Sequence, residues 1–146
     1  MFRQLKVLCI KHLREMASSA ALPQIKNVDI DPSGTFKYIL VKVNSTNAEG
    51  KREDKIIVRG YAECGYHDDI NNKVTDELQA LKSAKALNDW RSKVLGGGRI
   101  KHDPEGKFLN VYGYSQGYGK ADHQVAVDIL KTQYPDYNIT WSDEGY

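Results

Sequence analysis

The chain predicts an α+β fold, a single domain with a mixed β-sheet of about six strands flanked by two main helices. Three observations lead there. Several short runs are rich in β-branched and aromatic residues and end in turn residues. Two longer stretches carry apolar residues at helical spacing. The strands outnumber the helices and do not alternate strictly with them.

Residues 1–22 read as a basic amphipathic extension, with Phe2, Leu5, Cys9, Leu13 and Met16 at roughly helical spacing, and residues 23–146 as the domain proper. Val28 to Ile30 is a short strand, Asp31-Pro32-Ser33-Gly34 a turn, and residues 35–43 a second strand. Both faces of that second strand are largely apolar, which places it centrally in a sheet covered on two sides. Residues 44–54 read as a polar loop. Residues 55–62 are a third strand, with Ile56 and Val58 on one face and Ile57, Arg59 and Tyr61 on the other.

Residues 68–87 carry Ile70, Val74, Leu78, Leu81 and Lys85 on one helical face, with Asp68 and Asp69 in the first turn, where acids favour the helix dipole. A glycine loop at Gly96-Gly97-Gly98 then leads through Arg99 and Ile100 into a strand. Residues 108–114 are its hairpin partner, turned by Asp103-Pro104-Glu105-Gly106. A second helix over 121–133 buries Val125 and Ile129, Pro135 stops it, and residues 139–141 close the sheet.

At 146 residues, 40% hydrophobic and 27% charged, the composition is that of a soluble globular domain. The longest apolar stretch, Val7 to Ile10, is too short to span a bilayer, so no membrane partner is expected. The formal charge of +2 is concentrated in the extension; without residues 1–22 the chain holds 17 basic and 18 acidic residues. A body with that balance has no nucleic-acid footprint. Cys9 and Cys64 form no Cys-x-x-Cys pair, which argues against a disulfide framework or zinc ribbon and for a reducing compartment. The expected location is cytoplasmic and the expected state monomeric; mitochondrial targeting by residues 1–22, or translation starting at Met16, is the alternative.

Seven of the twelve glycines fall between Gly96 and Gly119, so two glycine-rich segments frame one strand-like run and supply candidates for either tight turns or an anion cradle. Lys37 is the lone charge in residues 35–41, and Arg59 lies within an apolar strand. Each reaches solvent, pairs with an acid, or meets an anionic ligand. His67 sits where a loop becomes a helix, beside N–H groups that lack intrahelical acceptors and favour anions. No histidine falls into a metal-binding pattern, so neither a metal centre nor another cofactor is expected. Gly113-Tyr114-Ser115-Gln116-Gly117 matches Gly-x-Ser-x-Gly, but the only later histidine, His123, is too close to complete a hydrolase triad.

Taken together, Phe36-Lys37-Tyr38, Val58-Arg59-Gly60-Tyr61, Tyr66-His67-Asp68-Asp69-Ile70, Gly96-Gly97-Gly98-Arg99-Ile100, Val111-Tyr112-Gly113-Tyr114-Ser115, and an ending with Tyr134-Pro135-Asp136-Tyr137, Trp141 and Glu144-Gly145-Tyr146 closely resemble the Janus and phosphohistidine phosphatase family. The run Gly119-Lys120-Ala121-Asp122-His123 resembles the insect Janus and ocnus branch, associated with male germline expression. The resemblance implies a metal-independent phosphatase acting on phosphohistidine-containing proteins. It implies His67 as the catalytic residue, acting as general base or transient nucleophile. It further implies Lys37, Arg99, Ser115 and the Gly117 N–H as phosphate contacts, with Arg59 near the site. The second reading is a weakened phosphohistidine-binding paralogue with a germline role.

One position departs from the pattern: Asp68 stands where the family's best-studied branch has a small neutral residue. A carboxylate about 6 Å from a bound phosphate would repel it by roughly 3 kcal/mol at an effective dielectric near 20.

Overall fold

Alternation along β2 (Gly34–Thr46) explains the layering: Phe36, Tyr38 and Leu40 pack on one face of the sheet, and Ile39, Val41 and Val43 on the other, all buried. The computed structural model describes residues 21–143. The extension through residue 20, with Cys9, His12 and Met16, and the terminal Glu144-Gly145-Tyr146 lie outside the described residues.

The remaining elements are β1 (Val28–Ile30), β3 (Arg52–Gly60), α1 (His67–Ser83), β4 (Trp90–Asp103), β5 (Phe108–Tyr112), α2 (His123–Gln133) and β6 (Asn138–Trp141). They form one sheet in the order β1-β3-β2-β4-β5-β6. The edge pairs, β1 with β3 and β5 with β6, are parallel, and the inner pairs are antiparallel. The mixed α+β sheet therefore stands as the sequence predicts, with β2 central. The turn at residues 31–33 does not make a hairpin, because β3 inserts between β1 and β2.

Each helix covers one face. On α1, Ile70, Val74 and Leu78 are fully buried against Ile39, Val41, Val43 and Ile57, and burying each stabilises the fold by about 1.5–3 kcal/mol. On α2, Ala126, Val127 and Leu130 face the other cluster, with Tyr38, Leu109 and Val111. Val125 and Ile129 are only partly buried. The predicted face is thus displaced by about one residue, because Asp122 caps the helix through Gln124 and Val125 N–H and sets its rotation.

Two expected loops are strand. Asn44, Ser45 and Thr46 pair with Asp54, Glu53 and Arg52, so only residues 47–51 turn. Asn44 bonds Asp54 and Arg52 across the strands, which supports pairing where apolar pairs are absent. The Gly96-Gly97-Gly98 run also lies within β4, paired to β2 on one side. On its other side the Gly97 N–H donates to the Gly119 carbonyl and the Gly97 carbonyl accepts from Ala121 N–H. With backbone partners on both sides, these glycines serve close packing and do not form a loop.

Candidate active site

The triple glycine strips side chains from β4 where neighbours must come close to the sheet. A Cβ on Gly97 would lie 2.7 Å from His67 Cδ2 and 3.1 Å from Ser115 Cβ, on the α1 face. A Cβ on Gly98 would lie 2.8 Å from His123 Cε1, on the α2 face. His67 and Ser115 therefore meet above Gly97, and His123 sits behind the sheet.

His67 is the first residue of α1 and is buried. Its position is set by a reciprocal cap, in which the Tyr66 N–H donates to the Asp69 carboxylate and the Asp69 N–H donates to the Tyr66 carbonyl. The His67 ring contacts the Gly98 carbonyl through Nε2 at 3.0 Å. A carbonyl only accepts, so Nε2 carries the proton and Nδ1 presents its lone pair. Nδ1 has no hydrogen bond among the described residues. Burial lowers the pKa of the ring, the Gly98 bond opposes that, and the Lys37 and Arg99 charges lower it further. The imidazole is thus held neutral, with one nitrogen ready to take a proton.

Lys37 and Arg99 are cross-strand partners on β2 and β4, two residues from the Ile39–Gly97 pair on the same face. This register places two cations next to His67. Ser115 heads a tight turn closed by reciprocal backbone bonds with Gly119, and its Oγ accepts the Tyr118 N–H at 3.1 Å. The hydroxyl proton remains available to donate. At the tip of that turn, the N–H groups of Gln116 and Gly117 have no acceptor among the described residues. A cavity of about 440 Å³ is lined by Lys37, His67, Asp68, Ser115, Gly117 and Tyr118, with Tyr66 at its edge. Cations, a hydroxyl and open amides around one neutral imidazole are the donor set of an oxyanion site. A larger groove of about 790 Å³, beside Leu22 and Leu87, contains no histidine and lies elsewhere.

Of the six residues proposed from the sequence, Lys37, His67, Ser115 and Gly117 line the cavity, while Arg99 pairs with Lys37 in the sheet and acts on the His67 ring by its charge without lining the cavity. Arg59 lies elsewhere. It is fully buried, its Nε and Nη2 bind both carboxylate oxygens of Glu77 at 2.9 and 2.8 Å, and it donates to the carbonyls of Val58 and Lys26. Glu77 lies ten residues along α1 from His67, roughly 15 Å down the helix axis. Arg59 thus clamps the entry segment and α1 to β3, and its guanidinium points away from the cavity. Arg59→Ala is expected to cost about 3 kcal/mol of stability in a urea melt, because Glu77 loses its buried partner. Phosphate titration of the folded variant should match wild type; a large loss of affinity would return Arg59 to the site.

Two contributors escape a reading of motifs. His123 binds the Tyr38 hydroxyl through Nδ1 at 2.5 Å and the Gly113 carbonyl through Nε2 at 2.8 Å, so both nitrogens are engaged behind the sheet. It serves as the anchor of Gly113, where the backbone leaves β5 with φ +76° and swings Ser115 to the opposite face. The ring cannot serve Ser115 as a base, which removes the serine-hydrolase reading. Tyr118 donates its hydroxyl to Asp68 Oδ1 at 2.5 Å, tying the turn to the start of α1. A buried tyrosine in an apolar strand and an aspartate at a helix start were the available signals, but neither names its partner.

A model of the Janus/Ocnus family matches residues 22–138. The chain is 46% identical over 133 residues to the 14 kDa phosphohistidine phosphatase of Sus scrofa, covering 90% of this chain and all of that protein. It is 45% identical over 130 residues to the sex-regulated protein janus-A of Drosophila pseudoobscura pseudoobscura, covering 88% of this chain and 83% of that one. Against the 14 kDa phosphohistidine phosphatase of Homo sapiens the identity is 43% over 129 residues, 87% of this chain and 98% of the other.

Proposed function

The chain belongs to the Janus/Ocnus family, and from that membership and the His67 cavity we propose that it hydrolyses the P–N bond of phosphohistidine in proteins without a metal. The observation that carries the reading is the His67 ring, fixed through Nε2 to Gly98 with Nδ1 open beside Lys37 and Ser115. Names carried by its relatives favour phosphatase activity; those named janus-A make the weakened, phosphate-binding germline paralogue the second reading.

In this reading Lys37 and Arg99 neutralise the phosphoryl charge, while the Ser115 hydroxyl and the Gly117 N–H orient its oxygens. Phosphoryl transfer through a loose transition state depends mainly on such positioning and charge stabilisation. His67 Nδ1 then takes a proton from attacking water, or attacks phosphorus itself. Rapid alkaline quenching separates these routes, since only the second leaves an acid-labile phosphoenzyme. The body over residues 23–146 forms the catalytic domain, monomeric and cytoplasmic, with residues 1–22 appended to it through Leu22, whose side chain is buried in the core.

Hydrolysis of a phosphohistidine peptide by the purified full chain, with and without chelator, tests the proposal. Activity is expected to survive chelation. A base acts only when unprotonated, and the free-enzyme pKa of His67 is lowered, so kcat/KM should fall with acidity only below the ordinary imidazole value of about 6.5. Binding of phosphate without turnover would instead support the paralogue reading.

A further inference from the structure

The cavity changes sign from its floor to its mouth. Inside are His67 and Ser115, 7% and 2% exposed, with the Lys37 cation. At the mouth are the exposed Asp68, the half-buried Tyr118 and Tyr66, whose side is 75% open to solvent. The Tyr118 hydroxyl occupies Asp68 Oδ1, while Oδ2 has no hydrogen bond among the described residues. A bare phosphate would gain from the floor and be repelled by the mouth. A phosphoryl group attached to a flat cation would be favoured at both ends, because a carboxylate and aromatic rings together suit a planar cation.

Resting on the phosphatase reading, we infer that Asp68 is a specificity-determining residue that selects phosphoramidates whose leaving group is positively charged, above all the protonated ring of phosphohistidine. In that form the ring nitrogen remote from phosphorus carries an N–H, which donates to Asp68 Oδ2. In the water route the new P–O bond forms as the P–N bond breaks, and His67 Nδ1 receives the water proton. The P–N electron pair passes to the ring, which departs as neutral imidazole. The attraction to Asp68 is kept until the P–N bond has broken and is lost with the charge in the neutral product, so it holds substrate and transition state alike, releases product and acts mainly through KM.

The test compares kcat/KM on N-phosphorylimidazole with kcat/KM on an aryl phosphate, whose leaving group bears no positive charge, for wild type, Asp68→Asn and Asp68→Glu. A third substrate, a phosphohistidine peptide with an adjacent lysine, supplies the cation from another source. Loss of a hydrogen bond between charged groups corresponds to about a tenfold effect. The ratio of N-phosphorylimidazole to aryl phosphate should therefore fall about tenfold in Asp68→Asn, through KM, and be largely kept in Asp68→Glu. An unchanged ratio in folded Asp68→Asn overturns the inference, and an effect confined to the lysine-flanked peptide overturns the assignment to the ring. Wild type that turns over none of the three removes the phosphatase reading and this inference with it.

Discussion

His67→Ala is expected to lower kcat/KM toward phosphohistidine by about 10²–10⁴-fold, the range associated with removing a positioned general base. The size follows from the geometry. Among the described residues, Nδ1 is the only imidazole nitrogen on the α1 face of the site that is not engaged with the protein, since His123 binds Tyr38 and Gly113 behind the sheet. No other lining residue offers a neutral base, because Asp68 lies at the exposed mouth and bonds Tyr118. Phosphate should still bind through Lys37, Arg99, Ser115 and Gly117. Steady-state kinetics with a phosphate titration separate these effects. A variant that keeps most of its turnover shows that the base is another group, and one that loses phosphate binding as well shows that His67 holds the ground state.

Gly97→Ala is expected to lower turnover about a hundredfold while leaving every polar group of the site in the sequence. The added methyl would stand 2.7 Å from His67 Cδ2, 2.8 Å from the Tyr38 carbonyl and 3.1 Å from Ser115 Cβ. Carbon pairs settle at about 3.5–4.0 Å, so something must move by close to an ångström. The Tyr38 carbonyl belongs to the central strand and is held by pairing on both sides, whereas the His67 ring and the Ser115 turn can be displaced. Misplacing reacting groups by about 1 Å costs on the order of 10² in rate. Overpacking should also cost about 1–3 kcal/mol of stability. Kinetics at a temperature where a melt shows the variant folded checks the claim. Near-normal turnover there would mean that the strands separate and the imidazole stays in place.

The legible parts of this protein were those written in local chemistry. Alternating apolar residues in β2 reported a strand covered on both faces, and Ile70, Val74 and Leu78 at helical spacing reported the buried stripe of α1. His67 at a loop-to-helix boundary, next to first-turn acids, pointed to an anion-favouring helix start. The glycine run is legible as a place of close backbone approach, but it lies within β4 and not in the loop that its composition suggests. Glycine permits both a turn and a close approach, and the choice was made by Gly119 and Ala121, more than twenty residues away, which supply the hydrogen bonds that keep Gly97 in a strand.

Arg59 marks the same boundary. An arginine in an apolar strand must meet an anion, and the sequence cannot state whether that anion is a ligand or a side chain. Only the packing of α1 on β3 brings Glu77 to it. The sequence by itself determined the fold class, the layering and the residue types able to hold a phosphoryl group, because propensity and periodicity act over a few neighbouring residues. The tertiary structure alone decided that Lys37, His67 and Ser115 line one cavity with Arg99 beside Lys37, that Arg59 lies away from it, and that Asp68 meets Tyr118 at the mouth. Those contacts join segments dozens of residues apart, and sheet register and close packing, not local preference, set their distances.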